Sequence, residues 1–523
     1  MYVIENKKRV KNKVYTSTLL VEGYREGSKV RHKTISNLSS WPKELVKELK
    51  LLLKGGKVMS LEDLRYGQGK SCGGLIVIYE ICERLGILKA LGRTRKAQLS
   101  LLLIMGRILT QGSRLHLVSW SKDEAVEEVL KVKDFDEDDL YDTLDWLSDN
   151  QEKIEDKLFR HRKTGEISDI FLYDVTSSYL EGEKNELAAY GYPRDKVKGK
   201  KQIVIGLMMD KDGYPISVEV FKGNTQDPKT VLNQLKKLKY RFGVKRVIFV
   251  GDRGMIKSEE IKEISEFKWH FITAITKPQV KTLIKEGVIQ IGLFDEELAE
   301  ARDKEYRYIF RRNPDRAKEI ALNRASKLEY IEKKISWKNG YLLEHRRASV
   351  EVALRDVKRV IEKLKLTEIV DVEIEGRQLK LSVDEERLEE VSRLDGCYVI
   401  KTDVFDLDKE IIHDRYRDLS KVEEAFRQMK RALEEIRPIY VRKEKRTRGH
   451  VFVCMLAYMV VKYMWDELKG LEFTERFIFN TLEKIEYAVY KIKDKEVKMV
   501  PYKLLSHQQQ ILNKLGIKLP HRL

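Results

Sequence analysis

Cysteine is scarce in this sequence, and the four that occur (Cys72, Cys82, Cys397 and Cys454) stand far apart. No two have the close spacing of zinc ligands, and nothing suggests a disulfide framework, which suits a reducing cytosol. Long apolar runs are missing too. The longest uninterrupted one, residues 451–461, falls well short of the ~20 residues that span a bilayer, so it reads as a buried helix. Residues 1–7 carry no apolar signal core. Internal repeats and low-complexity tracts are absent. The expectation is a soluble, cytoplasmic protein with no membrane partner.

What the sequence has in excess is positive charge. Lys and Arg number 102 against 84 Asp and Glu, a net charge of +18 with a pI near 9.3. Such a surface gains from counterion release on meeting a polyanion such as DNA or RNA. Charge alone leaves a basic but unspecialised protein equally open. The apolar share of 42% supplies packed cores and excludes disorder, and the length predicts two to four domains.

Patterning divides the chain into six stretches. Residues 1–65 read as a small β-rich module, a candidate for binding DNA ends. Residues 66–165 turn helical, with Leu75, Ile78, Ile81, Leu85 and Leu88 at three- and four-residue steps; this block is a candidate for DNA binding or dimerisation. Residues 166–280 begin a mixed sheet: strands near 170–175, 202–209 and 215–221 form an antiparallel set around the turn Asp210-Lys211-Asp212-Gly213, and helix–strand alternation follows. Residues 281–395 interrupt it with long charged helices and short strands. Residues 396–480 return to the sheet and carry one long helix, about 415–435, closed by Arg437-Pro438. Residues 481–523 read as a tail.

Three acids stand out by context. Asp174 interrupts an apolar strand, where an unpaired carboxylate is costly to bury. Asp252 ends the apolar run 247–250 and precedes Arg253-Gly254, and acids at the ends of neighbouring strands face one crevice. Taken singly, a salt-bridged structural acid is the stronger reading of Asp174, and a turn or cap that of Asp252. Glu423 is sharper. On a helix, Tyr416, Glu423 and Lys430 fall seven apart and line up beside the apolar stripe Val422, Phe426, Met429 and Leu433. A carboxylate, a phenol and an ammonium then share the margin of the core, although an ordinary charged flank has the same pattern. Three carboxylates can hold the hard cations that phosphodiester chemistry uses.

The segment from Tyr416 to Lys430 resembles the Tyr–Arg–Glu–Lys signature of insertion-sequence DDE transposases, the group related to the Tn-five transposase. Tyr416, Glu423 and Lys430 match, whereas Leu419 occupies the arginine position. Arg427, one turn beyond Glu423, is the candidate for the missing cation. Segments around Asp174-Val175-Thr176-Ser177, Phe221-Lys222-Gly223-Asn224-Thr225, Val250-Gly251-Asp252-Arg253-Gly254-Met255 and residues 394–403 resemble the same family in the same order. The resemblance implies an α/β fold, with an RNase H-like mixed-sheet core, a helical N-terminal region and a mixed α/β insertion domain. It also implies catalysis by Asp174, Asp252 and Glu423 with two Mg²⁺ or Mn²⁺ ions. The implied activity is binding of terminal inverted repeats, end cleavage and strand transfer by a homodimer on paired ends, in the nucleoid-containing cytoplasm. Arg442, Lys445 and Arg448 are candidates for gripping DNA phosphates alongside Tyr416, Arg427 and Lys430. Trp337 is a candidate for base stacking, against a plain packing role. A transposase-derived DNA-binding protein without catalysis and an RNase H-like nuclease on branched DNA or RNA remain the alternatives.

Overall fold

β1 (Tyr2–Val10), β2 (Lys13–Glu26) and β3 (Lys29–Asn37) form an antiparallel sheet in that order, and helix Lys43–Leu53 follows. The computed structural model describes all residues except 11–12, 57–63, 163–168, 183, 195–196, 291, 293–297, 432–439 and 493–494. The chain divides into two compact units. One comprises Met1–Gly73, Arg476–Gln510 and Lys518–Leu523; the other comprises Gly74–Glu475 and Ile511–Ile517.

In the first unit, β4 (Leu64–Gly67) pairs with β15 (Ala488–Ile492), which pairs with β16 (Lys495–Met499). The residues read as a C-terminal tail are therefore folded, and they complete a sheet with a strand from the N-terminal part. The short strands gave little periodicity to read, and β4 and β15 pair with each other across more than 400 residues of sequence.

The second unit holds the large sheet. Its strands are β5 (Ile170–Tyr179), β6 (Gln202–Asp210), β7 (Pro215–Lys222), β8 (Ile248–Gly251), β9 (His270–Ala274), β10 (Ala299–Arg302), β11 (Arg307–Arg312) and β14 (Cys397–Thr402), in the order β10-β11-β14-β9-β8-β5-β6-β7. β5, β6 and β7 are antiparallel neighbours, while β8 and β9 run parallel to β5. This is the RNase H-like mixed α/β arrangement. Expected insertion residues 299–312 belong instead to this sheet, for Tyr308, Ile309 and Phe310 are buried and β11 pairs with β14. The separate layer lies between β11 and β14. It consists of helices Pro314–Glu344 and Val350–Leu364, the hairpin β12 (Val370–Glu375) and β13 (Gln378–Val383), and helix Glu385–Arg393, around a core of its own that includes Ile331, Ile335, Val357, Ile361 and Val372.

Strand alternation decides what each face of β5 does. Phe171, Tyr173 and Val175 point into a core shared with Val231, Leu235, Phe249, Ile264 and Trp269. Leu172, Asp174 and Thr176 point the other way, by the two-residue period of a strand, towards the side on which helix Leu419–Arg431 packs. The apolar run 451–461 is buried within helix Glu444–Leu468, which packs against helices Arg95–Leu109 and Glu137–Arg162 and against β7.

One glycine in the sheet is set by a close approach. A Cβ on Gly206 would lie 2.2 Å from the hydroxyl of Tyr173, whose ring is fully buried. Gly206→Ala is expected to destabilise the chain by about 1–3 kcal/mol through overpacking. Urea unfolding checks this, and adding Tyr173→Phe should recover part of the loss. A Gly206→Ala protein as stable as wild type would show that the ring yields.

Candidate active site

The parallel register of β5 with β8 sets Tyr173 opposite Gly251. Asp174 and Asp252 are therefore the next residues along two neighbouring strands. Beyond β8 the chain turns at once: the Met255 amide donates to the Asp252 carbonyl at 3.1 Å, and Gly254 takes φ +89°, a conformation glycine adopts without strain. The Asp252 side chain is left exposed at the end of an apolar strand.

The helix expected over 415–435 is two helices, Lys409–Arg417 and Leu419–Arg431, with the break at Asp418. The Asp418 carboxylate takes Arg415 and Lys421, each at 2.9 Å. No proline or glycine marks the break, so nothing in the periodicity announced it. Leu433 of the expected stripe and the closing Arg437-Pro438 lie outside the described residues. Val422, Ala425, Phe426 and Met429 are buried, whereas Glu423 is exposed.

The flanking residues of the signature reach different acids. The Tyr416 hydroxyl donates to Asp252 Oδ1 at 3.1 Å. Burial, then the Asp252 carboxylate, hold this phenol well above its ordinary pKa, so it stays a donor. Lys430 Nζ donates to Thr176 Oγ1 at 2.7 Å and to the Ser177 carbonyl at 2.8 Å. Thr176 shares the face of Asp174, two residues along β5.

Asp174 itself is held by a mixture of forces. Burial pushes its carboxyl up to about 7; the Val175 amide opposes this, Asp252 and Glu423 add to it by like-charge repulsion, and Arg194 opposes it. The Val175 amide donates to Asp174 Oδ1 at 2.7 Å. The three acids thus lie within electrostatic reach of one another. Their donor set is oxygen only, which fits a hard divalent cation. The arrangement is nevertheless open: among the described residues, no group of three His, Cys, Asp or Glu side chains stands close enough to hold an ion as it is.

Other candidate residues lie elsewhere. Leu419, at the arginine position, is buried at 7% exposure, so that position serves packing. Arg427 is exposed and pairs with Glu424 at 2.8 Å, and it lines an open cleft with Lys421, Lys462 and Trp465. Lys445 pairs with Asp149 at 2.8 Å and Arg448 with Glu444 at 2.7 Å, while Arg442 is exposed. Lys445, with Arg446 on Asp145 at 3.1 Å, therefore fastens helix Glu444–Leu468 to helix Glu137–Arg162. Trp337 lies on helix Pro314–Glu344 at 64% exposure, stacked on Tyr341 at 6.1 Å between ring centres, which removes the packing role. Asp227 is the first residue of helix Asp227–Lys236, with Gln226 at the cap position; its carboxylate pairs with Arg194.

Arg194 is the neighbour of Asp174 that sequence reasoning missed. It lies in a connection without periodicity, and only the docking of that connection brings it to the acid. Its backbone amide donates to Ser177 Oγ at 3.1 Å.

The family model described as "Transposase DDE domain" matches residues 166–460, and the "IS1634 family transposase, N-terminal domain" matches residues 4–61. No curated protein matches the chain. Among solved structures, a cryo-EM synaptic complex of piggyBac transposase with hairpin DNA is similar over 79% of this chain and 76% of that one, at 9% identity and a TM-score of 0.37. The DDE-domain match spans more than half of the sequence, and the chain belongs to the DDE transposases of insertion sequences.

Proposed function

We propose that this transposase binds the terminal inverted repeats of its element, cleaves the DNA there and transfers the freed 3′ ends to a target, with Asp174, Asp252 and Glu423 as the catalytic carboxylates. The observation that carries this reading is geometric: Asp174 and Asp252 lie one residue beyond the paired Tyr173 and Gly251 on neighbouring parallel strands, and the helix that bears Glu423 packs on β5. Three carboxylates that repel one another are costly unless a cation is to join them. Their oxygens would hold Mg²⁺ or Mn²⁺, two ions in all. When bound, these supply Lewis acidity and positive charge beside the scissile phosphate.

The protein's own groups do the rest. Tyr416 orients the Asp252 carboxylate through its hydroxyl. Lys430, fixed by Thr176 and the Ser177 carbonyl, sets an ammonium beside the acids, where it favours a phosphate. The exposed Arg442 and Trp337 are proposed DNA contacts; Arg427, Lys445 and Arg448 must exchange carboxylate partners to become so. Leu419 departs from the Tyr–Arg–Glu–Lys pattern, so membership of the Tn-five-related group rests on Tyr416, Glu423 and Lys430. Pairing of two ends calls for a homodimer. No helix among the described residues is long and apolar enough to cross a membrane, and the proposed place of action is the nucleoid.

The test uses the full chain with DNA carrying the inverted repeats that flank its coding region, in Mg²⁺ or Mn²⁺. Wild type should nick at the repeat ends. Glu423→Ala should lower the rate by at least ~100-fold, the upper end of the loss from removing even an outer partner of a metal site. A Glu423→Ala protein that cuts at the wild-type rate would remove Glu423 from the chemistry.

A further inference from the structure

The connection from β5 to β6 carries groups that the three acids leave unused. Its middle exposes two phenol rings, Tyr190 at 67% and Tyr192 at 78%. The backbone beneath them is fastened on both sides. The Asn185 amide donates to the Val441 carbonyl at 2.6 Å and to Thr447 Oγ1 at 2.8 Å. Ala189 and Gln202 exchange both backbone hydrogen bonds. The Gln202 side chain donates to the Tyr192 carbonyl at 2.9 Å and the Gly223 carbonyl at 3.0 Å. A Cβ on Gly191, between the two tyrosines, would lie 2.0 Å from the Gly223 carbonyl oxygen, so only glycine permits the crossing.

Large aromatic surface left in water gains most when something flat covers it, and a rigid support lowers the ordering cost of doing so. The same segment leads straight to the acids. Two residues after Tyr192, the Arg194 amide is bonded to Ser177 Oγ, and its guanidinium acts on Asp174. At ~3.3–3.6 Å per residue, the two tyrosine backbones lie within roughly 7 and 14 Å of that of Arg194, which is a few nucleotides of strand. Lys198 is exposed nearby, Lys200 is exposed and paired with Glu181 at 3.0 Å, and Lys201 Nζ stands 6.0 Å from the centre of the Tyr190 ring.

We propose that Tyr190 and Tyr192 form a stacking platform for unpaired bases of a DNA strand whose backbone passes Arg194 on its way to the acids. The proposal rests on the strand-cleavage reading above and adds the substrate's local form: bases next to the cut leave the duplex. Aromatic faces suit this task because every base offers a π-face, so the platform grips without reading sequence.

Fluorescence anisotropy of the full chain with a labelled oligothymidylate and with a labelled duplex of equal length tests it. Tyr190→Ala/Tyr192→Ala should weaken binding of the single strand by at least about tenfold, the scale of one lost base–aromatic stack, and leave the duplex within about twofold. Tyr190→Phe/Tyr192→Phe, which keeps the rings, should bind both probes as wild type does. Circular dichroism should be unchanged, since both side chains are exposed. Unaltered single-strand binding by the alanine variant, or an equal loss on both probes, overturns the platform. If wild type bound neither probe, the cleavage reading would fall with it; duplex binding together with an indifferent single strand sinks the platform alone.

Discussion

In a chelator, at about pH 8, Asp174→Asn should raise the melting temperature by several degrees, and with Mg²⁺ supplied its DNA cleavage should fall at least ~100-fold below wild type. The two effects have one cause. In the folded chain, burial and then the neighbouring Asp252 and Glu423 raise the Asp174 carboxyl from 3.8 to about 7, against the Val175 amide and Arg194. Between about pH 4 and 7, the folded chain holds a proton that the unfolded chain has released. Stability is therefore lost as pH climbs through that window, by up to about 4 kcal/mol across the whole of it. Asparagine has no charged form to bury, so its advantage should be full above pH ~7 and small near pH ~4, where the folded wild type is protonated and the unfolded chain about half so. Adding Mn²⁺ should stabilise the wild type at the higher pH and leave Asp174→Asn nearly unmoved, because a ligand that binds only the folded state stabilises it by mass action. Differential scanning fluorimetry at the two pH values, with and without Mn²⁺, reads all of this. An equal shift at both pH values would show that the Asp174 carboxyl is solvated, and with it would go the electrostatic case for the trio.

How much of this was legible in the sequence differs from residue to residue. Asp174 was marked as the one acid in an otherwise apolar strand, but with Leu172 apolar on its own side its face shows only in the packed sheet, where Phe171, Tyr173 and Val175 claim the other. Asp252 was marked by the end of an apolar run. The seven-residue steps from Tyr416 through Glu423 to Lys430 were visible, but the break at Asp418 was not, because it is made by side-chain pairing with Arg415 and Lys421. Contacts between distant segments were invisible for a simpler reason. Lys445 looked like a free cation until Asp149, on a helix nearly 300 residues earlier, was found opposite it. Arg194 had no periodic context at all. Likewise β10 and β11 read as part of an insertion because charged helices follow them, whereas their burial against β14 is a property of the assembled sheet.

The largest loss of stability is expected from Arg241→Ala, at about 3–5 kcal/mol. Glu155, on helix Glu137–Arg162, is completely buried. Arg241 reaches it at 2.5 Å and also pairs with Asp156 at 2.7 Å. Ser217 Oγ and Gln151 Nε2 donate to the same carboxylate at 3.0 and 2.8 Å, and the Val218 amide at 3.3 Å. These neutral donors satisfy its lone pairs but bring no charge, so removing the guanidinium leaves an anion in the interior with its hydrogen bonds and without its counterion. The cost should therefore be that of an unpaired buried charge rather than of a surface ion pair. Urea unfolding of the full chain measures it. Glu155→Gln combined with Arg241→Met should recover much of the loss, because two neutral side chains of similar volume need no counterion. The placement matters for function: this network joins the helical block to β7, and β7 is joined through β6 to the strand that carries Asp174. Arg241→Ala should consequently lower cleavage as the unit loosens, whereas the double variant should cut at close to the wild-type rate. A loss under about 1 kcal/mol for Arg241→Ala would mean that water reaches Glu155 once the arginine is gone, and that the joint between helix and sheet is held by packing alone.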